Sequence, residues 1–201
     1  MKQDESRNYI MKNALQARLN KIAEKILAED FLKSEGLGGD LNFLIFDYDP
    51  QDELQIREYL SFLIELIDKK HKPLRVCNIN LLKVMRAYLD DRDFTAKAIQ
   101  KQLAQGDDAL LKALAGPLHV DKFVPFMMEH CQVSEQDMVL ISGVGSVWPV
   151  MRAHALLNKL HAMMGDKPLI LFYPGVYSGQ TLTLFNRVPS NPYYRAFQLV
   201  P

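Results

Sequence analysis

Four short, mainly apolar runs constrain the fold of this chain more than any other feature. They are LNFLIF (41–46), LRVCNI (74–79), MVLI (138–141) and LILFY (169–173), and each is bounded by turn-forming or polar residues. Runs of this length with such flanks are typical of buried strands. Because helical patterns separate them, we expect parallel strands joined by helical crossovers.

The whole pattern predicts one α/β domain over residues 1–201, with a three-layer architecture and a mostly parallel sheet that has helices on both faces. TLTLF (181–185) and YRAFQLV (194–200) alternate polar and apolar residues, which predicts half-exposed strands in an antiparallel C-terminal edge. Residues 81–131 have helical periodicity only, broken near Asp90, Gly106 and Gly116, and predict a helical insertion.

Residues 1–35 predict an N-terminal amphipathic helix that ends in a glycine-rich stop. Its apolar stripe is Leu15, Leu19, Ile22 and Ile26, at spacings of four, three and four. The stripe has two possible uses: packing on its own domain, or docking on a helix of a partner.

The turn Gly143-Val144-Gly145-Ser146 joins the third strand to a helix and has the layout of a nucleotide-binding turn. A P-loop would need GxxxxGK[ST], and a dinucleotide fingerprint would need a third glycine where Trp148 stands. Both motifs are absent. Two glycines and Ser146, a good N-cap residue, still allow a weak anion site at Gly143, Gly145 and Ser146.

The loop after the first strand, residues 47–53, is acidic and has no glycine. Asp47 and Asp49 have two possible roles: holding a magnesium ion, or capping the helix that follows Pro50. His154 and His161 share a helix face, but two ligands are too few for zinc. We therefore expect no metal, no cofactor and no catalytic residues.

Charge and cysteine content limit the classes of function. The chain has 24 basic and 24 acidic residues, which argues against direct nucleic-acid binding except through the C-terminal part. From residue 147 onward, the sequence has one acidic residue, Asp166, and five basic residues, which are Arg152, Lys159, Lys167, Arg187 and Arg195. Cys77 and Cys131 are expected to be reduced core thiols. With no signal peptide and no membrane-spanning run, a cytoplasmic protein is expected.

Aromatic and arginine residues concentrate near the predicted strand ends of the C-terminal half, with little Lys or Glu among them. That composition is typical of the hot spots of protein interfaces. The candidate partner-binding residues are Trp148, Arg152, His154, Tyr173, Tyr177, Tyr193, Tyr194 and Arg195.

The stretches FLIFDYDPQDEL, GVGSVWPVMRAHALLNKLH, LILFYPGVYSGQTLTLF and YYRAFQLV together resemble the BrxB family of BREX (bacteriophage exclusion) defence systems. The resemblance covers nearly the whole chain. It implies a small bacterial protein encoded with a methyltransferase, an AAA+ ATPase and the alkaline-phosphatase-like protein PglZ. PglZ is the direct partner that it implies first, and other BREX proteins are possible partners. It supplies no catalytic residue to carry over. The order of elements also resembles a P-loop NTPase without its Walker A motif.

Three functions are compatible with these observations. The first is a non-enzymatic adaptor that presents an aromatic and arginine-containing patch. The second is a degenerate nucleotide or anion binder, in which Arg152 would converge on the open glycine turn. The third is a nucleic-acid-contacting subunit with Arg152, Lys159, Arg187 and Arg195 on one face.

Overall fold

The computed structural model describes residues 2–28, 43–70, 74–190 and 196–201. In these ranges the helices are α1 (Lys2–Leu27), α2 (Glu53–Lys69), α3 (Leu81–Asp90), α4 (Thr95–Ala115), α5 (Val120–His130), α6 (Val144–Val147) and α7 (Ala153–Met164). The strands are β1 (Phe43–Tyr48), β2 (Val76–Asn80), β3 (Met138–Ser142), β4 (Leu169–Tyr177), β5 (Leu182–Leu184), β6 (Val188–Pro189) and β7 (Phe197–Gln198).

The central sheet is parallel and has the strand order β2-β3-β4-β1-β7. All four predicted buried strands are present and are neighbours in it. Each connection between them contains a helix, as parallel pairing requires. The α/β class with a mostly parallel sheet is therefore confirmed.

The antiparallel part of the sheet agrees with the prediction for residues 181–185 and differs from it for residues 194–200. The C-terminal strand β7 pairs parallel to β1, with Leu44 opposite Phe197. The antiparallel pairing comes from β5 and β6, which extend the far end of the nine-residue β4. The predicted antiparallel C-terminal edge is therefore confirmed for 181–185 and wrong for 194–200, because alternation of polar and apolar residues carries no information on strand direction.

Two hydrophobic clusters cover the two faces of the sheet, and residues of β1 alternate between them. Phe43 and Ile45 belong to one cluster, which also contains residues of α3, α5, α6 and α7. Phe46 and Tyr48 belong to the other, which contains α1 and α2. This alternation follows from the two-residue repeat of a strand that is buried on both faces.

The apolar stripe of α1 packs within the chain. Leu15, Leu19, Ile22 and Ile26 are all buried in the cluster that α1 shares with α2. The first of the two uses considered for the stripe is therefore confirmed, and docking of the stripe on a partner helix is wrong. The predicted glycine stop lies outside the described residues.

Residues 81–131 form more than an insertion. Helices α3 and α5 bury Leu81, Val84, Tyr88, Phe123 and Met127 against the sheet, so they are the helical layer of the crossover from β2 to β3. Only α4 has no buried residue, and its backbone is non-helical at Gly106. The predicted helical breaks are confirmed, but the insertion is restricted to α4.

The carboxylate of Asp47, at the end of β1, joins four elements of the fold. Its Oδ1 lies 2.7 Å from Arg18 Nη2 of α1 and accepts from Gln198 Nε2 at 3.2 Å, while its Oδ2 accepts from the Tyr177 N–H at 3.0 Å. The Arg18 guanidinium also donates to the carbonyl of Val200 at 2.9 Å and stacks on the ring of Phe46. The cation that Asp47 holds is therefore an arginine of the same chain.

We predict that Asp47→Asn destabilises the protein by about 2 kcal/mol, measured as the free energy of unfolding in urea. The change weakens the ion pair and places an amide donor opposite either the Tyr177 N–H or the Arg18 and Gln198 donors. Glu65→Gln is the matched control, since it removes an exposed ion pair to Lys69 and should cost less than about 0.5 kcal/mol. Equal effects of the two substitutions would contradict the role given to Asp47.

Candidate functional site

The glycine turn after β3 is filled by side chains of the protein itself. Gly143 has a φ of 78°, and a Cβ built there would lie 3.3 Å from the amide group of Asn80. A Cβ on Gly145 would lie 2.7 Å from Cε1 of Phe185 and 3.2 Å from Cγ of Pro174. The two glycines are therefore explained by backbone conformation and by close packing.

Two of the features that favoured an anion site at the glycine turn are absent from the structure. Ser146 lies inside the four-residue α6, and its N–H donates to the carbonyl of Gly143, so Ser146 is not an N-cap. The longer helix α7 begins only at Ala153, after Pro149. The cleft lined by Trp148 and Arg152 has a volume of only about 30 Å³. That is far below the roughly 300 Å³ and more of ordinary ligand pockets.

Trp148 and Arg152 form an exposed patch with residues of the β5–β6 hairpin. Trp148 keeps 40% of its surface exposed, and its ring meets Phe185 edge to face at 6.3 Å between centroids. Arg152, Val188 and Pro189 line the same cleft as Trp148. We call Trp148, Arg152, Phe185, Val188 and Pro189 the Trp148 patch.

Sequence reasoning missed the hairpin half of this patch. Residues 182–184 of the predicted edge strand form β5, but Phe185 and Asn186 both have positive φ and begin the turn between β5 and β6. Asn186 is the signal that could have shown it, because Asn tolerates the left-handed conformation that such turns need.

Two of the predicted partner-binding tyrosines are in the core, so that part of the prediction is wrong. Tyr173 is 1% exposed and Tyr177 is 3% exposed. The hydroxyl of Tyr177 lies 2.6 Å from the carbonyl of Ala196 and so ties β4 to the C-terminal segment. Burial raises the pKa of both phenols. Their rings point inward because β4 is covered on both faces.

The other candidates have different surroundings. His154 is half-buried in the first turn of α7. Tyr193, Tyr194 and Arg195 lie outside the described residues. Of the eight candidates, the structure places Trp148 and Arg152 together on the surface.

Two of the C-terminal cations make contacts within the fold. Lys159 forms an ion pair with Asp121 at 2.7 Å. Lys167 donates to the carbonyls of Val133, Ser134 and Gln136 at 2.6–2.8 Å. The excess of positive charge after residue 147 is therefore smaller on the surface than in the sequence, which weakens the case for a nucleic-acid face.

Cys77 and Cys131 are free thiols, and both are half-buried. They are therefore more accessible than the core position predicted for them. Burial raises the pKa of Cys77 to about 11, and it raises that of Cys131 as well. A thiol with such a pKa is protonated at neutral pH and is a poor nucleophile.

The described ranges contain neither a cluster of metal-ligand residues nor a helix able to span a membrane. No three His, Cys, Asp or Glu residues there cluster closely enough to hold a metal ion. None of the helices there combines the length and the apolar character needed to cross a bilayer.

Comparison with known proteins assigns the chain to a family. The sequence model of the family described as "BREX protein BrxB" matches residues 77–199, which is more than half of the chain. The chain belongs to the BrxB family. The family match includes the glycine turn, the Trp148 patch and α4, and it begins in β2.

Two BrxB relatives cover nearly the whole chain. A protein named "BREX protein BrxB" from Escherichia coli O9:H4 (strain HS) is 38% identical over 187 residues, which are 93% of this chain and 92% of the relative. One of the same name from Bacillus cereus (strain H3081.97) is 35% identical over 185 residues, 91% of this chain and 96% of the relative. No solved structure matches the chain significantly. The resemblance seen in the sequence is thus confirmed.

We predict that Gly145→Ala destabilises the fold by about 1–3 kcal/mol, because the new Cβ overlaps the ring of Phe185. In a Phe185→Leu background, which removes the two nearest ring atoms, the same substitution should cost at least about 1 kcal/mol less. Gly116→Ala is the control, since a Cβ there meets nothing within 4 Å. The measurement is the free energy of unfolding of all five proteins, wild type included. A Gly145→Ala cost that is independent of residue 185 would refute the packing explanation of the turn.

Proposed function

We propose that this BrxB-family chain is a non-enzymatic assembly component of a bacterial BREX phage-defence complex, and that it binds PglZ through the Trp148 patch. The family membership supports the BREX context. The observation that carries the proposal is the exposure of Trp148 on a surface where its ring packs against Phe185. The setting is the cytoplasm, in keeping with two cysteines that form no disulfide.

The structure of the patch favours a protein partner. Tryptophan and arginine are among the residues enriched in interface hot spots. The ring of Trp148 is braced by Phe185, and Phe185 in turn packs against Gly145, so the anchor loses little conformational freedom when it is covered. A cleft of about 30 Å³ between Trp148 and Arg152 suits one protruding side chain better than a small-molecule ligand.

The same proposal explains the loop after β1, where a P-loop NTPase would hold phosphate. We propose that the sheet is P-loop-like in topology and that this loop has a structural role. Asp47 binds Arg18, Asp49 accepts from the N–H of Gln51 at 2.9 Å as an N-cap, and Tyr48 donates to Glu53 at 2.5 Å. These contacts support capping over magnesium binding. They occupy the crevice in which doubly wound sheets usually bind ligands.

The two alternatives receive less support. A nucleotide or anion binder needs an open turn, and here Phe185 and Asn80 pack against Gly145 and Gly143. A nucleic-acid-contacting subunit needs Lys159 on the basic face, and here Lys159 pairs with Asp121. We therefore place the adaptor first.

Substitution in the patch tests the proposal. We predict that Trp148→Ala and Arg152→Ala each weaken binding to co-encoded PglZ, with Trp148→Ala raising the Kd by about tenfold or more. Leu103→Ala on α4 is the control for Trp148→Ala, since Leu103 is 83% exposed and lies outside the patch. Lys101→Ala is the control for Arg152→Ala. Binding is measured with purified proteins, after circular dichroism has shown that each variant is folded.

Salt dependence separates the two components of the patch. A largely apolar contact keeps its affinity between about 0.15 M and 0.5 M salt, whereas a contact dominated by Arg152 loses it. Folded Trp148→Ala protein with the wild-type Kd would disprove the assignment of the patch.

A further inference from the structure

The sheet ends at β2, and the outer side of this strand pairs with no other strand in the described part of the chain. Arg75, just before β2, directs both backbone groups toward β3: its N–H donates to Asp137 Oδ2 at 2.8 Å, and its carbonyl accepts from the Asp137 N–H at 2.8 Å. Backbone groups alternate along a parallel strand. The N–H and C=O groups of Val76 and Asn78 therefore point outward, while those of Cys77 point toward β3.

A groove runs along this outer side of β2 and has a volume of about 610 Å³. Its floor is formed by residues of β2 and the end of β3. Helix α2 forms one wall, and the start of α3 and the end of α5 form the other. The lining residues are Arg57, Leu60, Ser61, Cys77, Asn78, Asn80, Lys83, Val84, His130, Cys131 and Ser142. A strand added about 4.8 Å from β2 would lie between these two walls.

The lining of the groove carries positive charge. Arg57 and Lys83 line it, and no carboxylate is among the lining residues that the structure describes. Arg57 forms an ion pair through its Nε with Glu53 of the same helix at 2.8 Å, so the positive charge that the groove offers comes mainly from Lys83. A second copy of this chain paired edge to edge through a two-fold axis would bring like charges together. An extended segment with acidic side chains would neutralise them.

We propose that the outer edge of β2 accepts an extended, acidic segment of the assembly partner as an added strand. This inference rests on the proposed function and names the chemistry of the contact. Main-chain hydrogen bonds to Val76 and Asn78 supply the register. Alternate side chains of the added strand enter the α2 side and the α5 side of the groove. Asn80 at the end of the groove packs on Gly143, so the groove adjoins the turn that carries Trp148.

A proline substitution in β2 tests the main-chain contact. Asn78→Pro removes the outward N–H and puts a ring in the path of the added strand, yet spares the ladder to β3. Asn78→Ala is the matched control because it removes the same side chain and keeps the N–H. We expect Asn78→Pro to raise the Kd for co-encoded PglZ about tenfold or more, and Asn78→Ala to change it less than about threefold.

A charge reversal tests the acidic character of the segment. Lys83→Glu should weaken the same binding about tenfold, and Lys97→Glu on the exposed α4 should leave it within about twofold. Equal effects of the two reversals would overturn the acidic assignment.

Amide hydrogen exchange of the wild-type protein makes the test independent of how the variants fold. In the complex, the amides of Val76 and Asn78 should exchange at least about tenfold more slowly than in the free chain. The Cys77 amide, which faces β3, is the internal control and should change little.

The outcomes separate the two proposals. Absence of any complex with wild-type protein would overturn the proposed function and this inference with it. A complex in which Val76 and Asn78 exchange as in the free chain would overturn strand addition alone. A homodimer of the free chain that Asn78→Pro dissociates would also overturn it, by showing that the edge pairs with itself.

Discussion

The ion pair between Asp47 and Arg18 is the contact on which the rest of the structure depends. It fixes α1 to the end of β1, and the same two side chains bind the Tyr177 N–H and the Val200 carbonyl. Helix α1 and the C-terminal residues are thereby held at the carboxyl end of β1. In doubly wound folds this is the place where ligands usually bind. Since the carboxylate of Asp47 is already bound there by Arg18, Gln198 and the Tyr177 N–H, our proposal assigns function to the outer surfaces.

The buried strands and the fold class could be predicted because fully buried parallel strands leave continuous apolar runs in a sequence. The direction of β7 could not, since it depends on which neighbour offers free backbone groups. Tyr173 and Tyr177 were expected near the end of a strand, since the predicted run 169–173 is followed by the turn-forming pair Pro174-Gly175. Instead β4 continues through that pair to Tyr177, where β5 supplies its antiparallel partner.

The glycine turn, too, could be predicted from the sequence only in part, because the rest depends on tertiary packing. The two glycines after β3 could be recognised as a tight turn, and the absence of a phosphate-binding motif could be read directly. Gly145 lies under the ring of Phe185, about 40 residues later in the chain, and this tertiary contact could not be predicted from the sequence. This contact links the turn to the hairpin and holds Trp148 at the surface. The glycine turn therefore has a structural role in positioning the Trp148 patch.

The most direct measurement of the central claim is a calorimetric titration of the purified chain into co-encoded PglZ at several temperatures. Our account predicts saturable binding at a fixed stoichiometry, with a negative heat-capacity change from burial of apolar surface around Trp148. Absence of binding heat at every temperature, together with a chain that remains separate from PglZ on size-exclusion chromatography, would contradict it.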